Sequence, residues 1–239
     1  MLRRLNQLRE GLGNFCLWSW YRLRGKSYSE YYARRMDRIV RRNPAWGLNL
    51  NREFQLDYLK AKGFLPHHRL LDYGCGALSA GIHFIGYLDA DRYVGVDISR
   101  AVLEEGLRRV ASAGLEAKGP RVHHIDQGNM DAVPSETFDY LWAQSVVTHM
   151  PLAAIELMLR QLRTFMHAES KFYFTFARSE QDPRHSQWKD WWYDLATIEA
   201  VVRGQGFQMN VQTDWVHPDD HLGGDTMVCA QLDVSAAKA

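Results

Sequence analysis

A turn that carries carboxylates and glycines together is a place where a small charged ligand can sit, and residues 70–81, LLDYGCGALSAG, form one. A short apolar run ends in Asp72, and Gly74 and Gly76 follow. Glycines at that spacing let the backbone turn tightly and approach a ligand with no Cβ in between. The N–H groups that open a following helix then face whatever is bound. Cys75, between the glycines, belongs to the same ligand-lining bend; it reads as a small filler and not as a nucleophile, since no histidine stands near it in sequence. Ser79 occupies the position at which G-x-G-x-x-G needs its third glycine, so a dinucleotide is disfavoured. Asp72 argues the same way, because its charge repels phosphate and favours a cationic or amino-bearing ligand. Asp97 ends the apolar run YVGVD, 21 residues beyond Gly76, where an acid can accept both hydroxyls of a ribose. It could instead only cap a helix, but Ser99 is available for that.

These residues need a scaffold, and the pattern supplies an α/β one. From about residue 53, strand-like runs alternate with helical periodicity. Strands are expected at 69–73, 93–98, 121–125, 138–143 and 171–177, and helices at 77–88, 100–113, 152–165 and 198–203. Two last strands, 207–215 and 226–232, have no helix between them and should pair antiparallel. The expected fold is a doubly wound seven-stranded, mostly parallel sheet with an antiparallel final strand. A helical extension over 1–50 precedes the main domain at 51–235.

D-x-G-x-G after the first strand, an acid ending the second and a hairpin-like final pair resemble the class I S-adenosylmethionine-dependent methyltransferases over residues 50–234. The string GCGALSAGIHFIGYLDADRYVGVDIS resembles a bacterial subgroup of that family. Leu78 departs from it, standing where many members have a third glycine. The resemblance implies that Gly74 and Gly76 lie against the methionine portion of S-adenosylmethionine near Asp72. It implies further that Asp97 binds the ribose and Ile98 packs on the adenine. Asn129 aligns with an acid that touches the adenine amino group, and Met130 offers it an apolar face. Gln144 and Ser145, beyond strand four, would meet the methionine moiety. His149 follows them; a histidine, with an ordinary pKa of about 6.5, suits the removal of a proton from a hydroxyl acceptor. Its other reading is a packing histidine at a helix start beside Pro151. The expected reaction is methyl transfer to a hydroxyl of a small molecule, a saccharide or a glycolipid. The alternative is a non-catalytic methyltransferase-like module at a membrane surface.

Trp188, Trp191 and Trp192 crowd the segment after strand five, with Arg184 and His185 nearby. They either contact the acceptor or form a hydrophobic cluster under a loop. His217, Asp219, Asp220 and His221 read as a solvated turn and not as a metal site; His123 and His124 point to opposite faces of a strand. The three cysteines, Cys16, Cys75 and Cys229, form no disulfide framework, which suits a reducing, cytoplasmic location.

Charge is lopsided. Residues 1–42 carry 11 basic and 3 acidic side chains, and the rest of the chain carries 18 and 25. Leu5, Leu8, Leu12 and Phe15 recur at helical spacing there, with Trp18, Trp20 and Tyr21 behind them. Such a segment suits peripheral contact with an anionic membrane, at the inner face for a cytoplasmic protein. A lid over the site is the other reading, favoured for 27–50, with Tyr28, Tyr31 and Tyr32 facing inward. A secretory signal is not expected, and no nucleic-acid recognition module is visible.

Overall fold

The computed structural model describes residues 2–43, 52–180, 184–186, 189–218 and 225–234. Its centre is a sheet of nine strands among the described residues. β1 (Leu70–Tyr73), β2 (Tyr93–Asp97), β3 (Arg121–His124), β4 (Phe138–Ala143) and β5 (Met166–Arg178) run parallel in the order β3-β2-β1-β4-β5. β9 (Asp225–Leu232) lies antiparallel to β5 and carries β8 (Phe207–Val211) on its far side, also antiparallel. These seven strands are the ones read from the sequence.

The other two were read as loop. β6 (Arg184–Ser186) and β7 (Asp190–Tyr193) form a small hairpin. β7 joins β5 through Ala177 and Arg178, and Ala177 also pairs with Asp225 of β9. A strand has two edges, so β7 must lie on the edge that β4 occupies lower down. The hairpin therefore continues the line of β4 beyond its carboxyl end.

Both sheet faces are covered, which is why β1, β2, β4 and the second half of β5 are largely apolar. Side chains alternate between the faces. Leu71, Leu141, Phe172, Phe174 and Phe176 enter one core with α6 (Leu152–Leu162) and α7 (Leu195–Gly204). Leu70, Trp142 and Tyr173 enter the other, with α3 (Glu53–Ala61), α4 (Gly81–Tyr87) and α5 (Arg100–Ser112).

Some boundaries differ from expectation. The helix expected from 77 begins only at Gly81, because Leu78, fully buried, takes a left-handed φ of 56° that no helix admits. Strand five starts five residues early, and the strand expected over 207–215 stops at Val211.

The extension is two helices, α1 (Leu2–Leu23) and α2 (Tyr28–Arg42). Gly25 (φ 67°) makes the turn between them. Ser27 and Glu30 then form a capping box that starts α2. Among the described residues no helix is long and apolar enough to cross a membrane.

Candidate active site

A cavity of about 510 Å³ opens at the carboxyl ends of β1, β2 and β4. Parallel sheets bind ligands at that end, and this volume is ordinary for a small-molecule site. Asp72, Gly74, Cys75, Gly76, Asp97, Ile98, Gln144, Ser145 and His149 all line it, and the inner face of α2 covers it with Tyr28, Tyr32, Met36 and Ile39.

The glycine bend is required by geometry. Gly74 (φ 73°) and Gly76 (φ 57°) are both left-handed. A Cβ on Gly74 would lie 2.5 Å from Val146 Cγ2, whereas at Gly76 the nearest atom would be 4.0 Å away. The first glycine lets two loops close together; the second leaves open space beside the backbone. Cys75 is buried, its Sγ standing where a Cβ on Gly95 would come within 2.9 Å. Burial pushes its thiol pKa well up, with the charges of Asp72 and Asp97 adding to the effect. The thiol therefore stays neutral and fills space.

Two carboxyls face the cavity, Asp72 buried and Asp97 half-buried. Asp72 accepts from the Tyr93 hydroxyl at 2.7 Å. Burial pushes its pKa up to about 7; the Tyr93 bond opposes the shift and the charge of Asp97 adds to it. Asp97 accepts from the backbone N–H of Gly76 at 3.0 Å and of Ser99 at 2.8 Å. Burial raises it to about 6 against those hydrogen bonds. Ser99 does cap α5, through Val102 N. Each Asp97 oxygen keeps lone pairs for a ligand hydroxyl.

Beyond β4, Ser145 (φ 58°) donates its N–H to Thr175 Oγ1 at 2.8 Å. Gln144 Oε1 accepts from Gln55 Nε2 at 3.1 Å, and Gln55 Oε1 accepts from Trp142 Nε1 at 2.8 Å. Gln55, on α3, thus ties a buried ring to the cavity wall.

His149 ends a single 3-10 turn, Val147–His149. Its Nδ1 lies 3.0 Å from the Lys189 carbonyl and 3.0 Å from Asp190 Oδ1. A carbonyl only accepts, so Nδ1 carries the hydrogen and Nε2 the lone pair. The Tyr32 ring stacks on the imidazole at 5.0 Å, and the Tyr193 hydroxyl donates to Met150 O at 2.8 Å, fixing the turn from below. The β6–β7 hairpin, α2 and the turn after β4 therefore meet on one imidazole.

The structure does not bring every expected residue here. Asn129 is exposed; its side chain accepts from Asp131 N and donates to Asp131 Oδ2. Met130 is buried in the core. Neither lines the cavity, because the left-handed Gln127 and Gly128 turn the chain one step earlier and place themselves, with Ile125, on the wall. Trp191 and Trp192 do not line it either. On β7 the Trp191 ring stacks on His185 at 4.1 Å and packs on the core beside Tyr193. That arrangement matches the hydrophobic-cluster reading for Trp191 and His185. Trp188, and with it Asp219, Asp220 and His221, lies outside the described residues. His217 Nε2 accepts from Arg52 Nη1 at 3.2 Å. Gln55, Asp190 and Lys189 were not read from the sequence. Asp190 stands 41 positions from His149, and no local pattern links the two.

A family model described as a methyltransferase domain matches residues 71–172. Those residues are similar in sequence to that family. They run from β1 into β5 and hold the glycine bend, both carboxyls, Gln144, Ser145 and His149. Solved structures share the fold beyond those residues. Magnesium protoporphyrin IX methyltransferase from Synechocystis PCC 6803, with bound SAM, is 17% identical, with a TM-score of 0.57 over 81% of this chain and 83% of that one. The glycopeptide N-methyltransferase MtfA, complexed with S-adenosylmethionine, is 13% identical, with a TM-score of 0.60 over 77% and 95%. The fold is that of the class I methyltransferases. In sequence, the chain is 30% identical over 118 residues to the probable methyltransferase ltbC of Aspergillus luteorubrus, covering 46% of this chain and 40% of that protein. The chain thus spans less than half the length of that curated relative.

Proposed function

We propose that this protein binds S-adenosylmethionine in the cavity and transfers its methyl group to a hydroxyl of a small molecule or saccharide, with His149 as the base. The observation that carries the reading is the arrangement of the cavity: two carboxyls and an open glycine bend at one end, and an oriented imidazole at the other. The residues fit the cofactor. Asp97 has lone pairs for ribose hydroxyls, and Ile98 and Ile125 offer apolar surface for the adenine. The space beside Gly76 admits a chain with no Cβ in the way. Arg52 and Gln55 bring donors to the wall beside Gln144, where a carboxylate would be held. Solved structures of this fold are described as carrying SAM, SAH or sinefungin, which supports the same cofactor here.

S-adenosylmethionine supplies a methyl group on a positively charged sulfur, open to in-line displacement by the acceptor. What the chain must add is alignment and a destination for the acceptor's proton. His149 Nε2 holds the free lone pair on a ring that lines the cavity, so the O–H bond breaks toward it as the O–CH₃ bond forms. Asp190 then stabilises the imidazolium through Nδ1–H. The stacked Tyr32 ring holds the imidazole plane and excludes water from that face. A base at this position supports a hydroxyl acceptor, whose proton must leave as the new O–C bond forms.

Calorimetry with S-adenosylhomocysteine tests the cofactor assignment. Micromolar binding is expected, weakened at least about tenfold in Asp97→Ala through two lost hydrogen bonds to the ribose. No heat with the intact protein overturns the assignment. Transfer of labelled methyl from S-adenosylmethionine into acceptor extracts then reads turnover, and label recovered only on nitrogen overturns the hydroxyl acceptor.

A further inference from the structure

The outer side of the N-terminal helical pair takes no part in the site. α1 has two faces. Asn14, Trp18 and Tyr21 turn toward α2: Asn14 Oδ1 accepts from Arg35 Nε at 3.2 Å, and the Trp18 ring lies 5.4 Å from Tyr28 and 5.5 Å from Tyr31. Leu12, Phe15, Trp20 and Leu23 lie on the opposite face, 64%, 44%, 46% and 88% exposed. Three turns of helix thus present an apolar stripe to solvent, roughly 16 Å long at the usual rise. A stripe of that kind on a protein surface marks an interaction site.

The charge beside it has one sign. Residues 11–43 hold eight basic and two acidic side chains. Glu30 is paired with Lys26 at 2.8 Å. Asp37 turns inward, accepting from Ser99 Oγ at 2.7 Å and from Ala101 N at 3.4 Å. No carboxylate in that stretch is exposed. Arg22, Arg24 and Lys26 are exposed where α1 ends, and the Arg24 guanidinium lies 4.0 Å over the Trp20 ring. Arg34, Arg38, Arg41 and Arg42 are exposed on α2, spaced so as to share its outer face.

We infer that this surface docks on an anionic lipid bilayer. Leucines and a phenylalanine enter the acyl boundary, a tryptophan sits at headgroup depth, and arginines meet lipid phosphates. Each feature has a place in that one occupant. A nucleic acid would engage the arginines and leave Leu12 and Leu23 in water. A second copy of the chain would bring two faces of like charge together. The inner side of α2 lines the cavity, so docking holds the cavity about one helix diameter from the lipid. The inference stands apart from methyl transfer, since it uses no residue of the site.

Co-sedimentation of the intact protein with vesicles tests it. Binding should be at least about tenfold stronger to phosphatidylcholine containing phosphatidylglycerol than to phosphatidylcholine alone, and should weaken as salt rises. Leu12→Glu with Leu23→Glu should lower anionic-vesicle binding about tenfold, as should Arg34→Glu with Arg38→Glu. All four side chains are exposed, so Tm and S-adenosylhomocysteine affinity should stay as in the parent. Equal binding to both vesicle types, or none, overturns the inference. Unchanged anionic binding in the leucine variant leaves plain adsorption and overturns it too. Should the leucine variant instead turn a dimer into a monomer by sedimentation, the stripe belongs to a second copy.

Discussion

The ring of His149 is held by three contacts from three parts of the chain, and each constrains something different. The Lys189 carbonyl fixes the tautomer, Asp190 places negative charge beside Nδ1, and Tyr32 sets the plane of the ring. Only the first two bear on proton transfer, and they can be separated. His149→Ala removes the proposed base and should lower kcat by about 10²- to 10⁴-fold. Asp190→Asn keeps the carbonyl, and with it the tautomer, but withdraws the charge that stabilises the protonated ring. Its kcat should fall only about tenfold, with KM for the acceptor unchanged. Neither variant touches the ribose end, so S-adenosylhomocysteine should bind both as it binds the parent. Full turnover in the alanine variant would return His149 to a packing role. The pair could not have been seen in the sequence. His149 is visible because it follows strand four and precedes Pro151, but Asp190 comes to it only through a hairpin that the aromatic run DWWY did not announce as a strand.

At the scale of elements, what was legible was what the backbone imposes locally. Strands buried on both faces are largely apolar, and β1, β2, β4 and β5 with the closing pair were readable on that ground. So was the bend at Gly74 and Gly76, since few residues other than glycine tolerate it. Leu78 is an exception the chain accommodates by burying the side chain, and it moved the start of α4. The cavity lining after strand three lies one or two residues before Asn129 and Met130 for a similar reason: left-handed backbone at Gln127, a non-glycine, gives no signal in a sequence. Long-range polar links were equally silent. Asp37 is the clearest case. From the middle of α2 it accepts from Ser99 Oγ and Ala101 N at the start of α5, two residues after Asp97. One carboxylate thereby fastens the covering helix to the segment that follows Asp97. Asp37→Ala should leave the sheet intact but free α2. The expected outcome is a several-fold rise in the S-adenosylhomocysteine Kd, together with faster amide exchange confined to α2. Unchanged exchange there would show that the contacts of Tyr28 with Trp191 and of Tyr32 with His149 hold the helix without it.

For the whole molecule, the decisive quantity is the protonation of the two cavity carboxyls. Asp72 titrates near 7 and Asp97 near 6, both raised from the ordinary carboxylate value by burial. A carboxyl raised by folding holds its proton more tightly in the folded chain than in the unfolded one. The stability that this difference contributes is complete below about pH 4 and is lost as pH rises through 6 and then 7. The free protein should therefore lose Tm between about pH 4 and 7 through these groups, in a part that Asp72→Asn diminishes, because an amide oxygen can still accept from Tyr93. A cationic ligand reverses the balance, since it favours the charged carboxylates. S-adenosylmethionine should accordingly bind more tightly as pH rises through the same window and should release protons on binding at the acid end. Calorimetry in two buffers of different ionisation enthalpy counts those protons. S-adenosylhomocysteine lacks the sulfonium charge, so its affinity should rise less steeply. Identical pH slopes for the two ligands would mean that the carboxyls do not sense the sulfur, and that the methionine portion lies farther from Asp72 than the glycine bend implies.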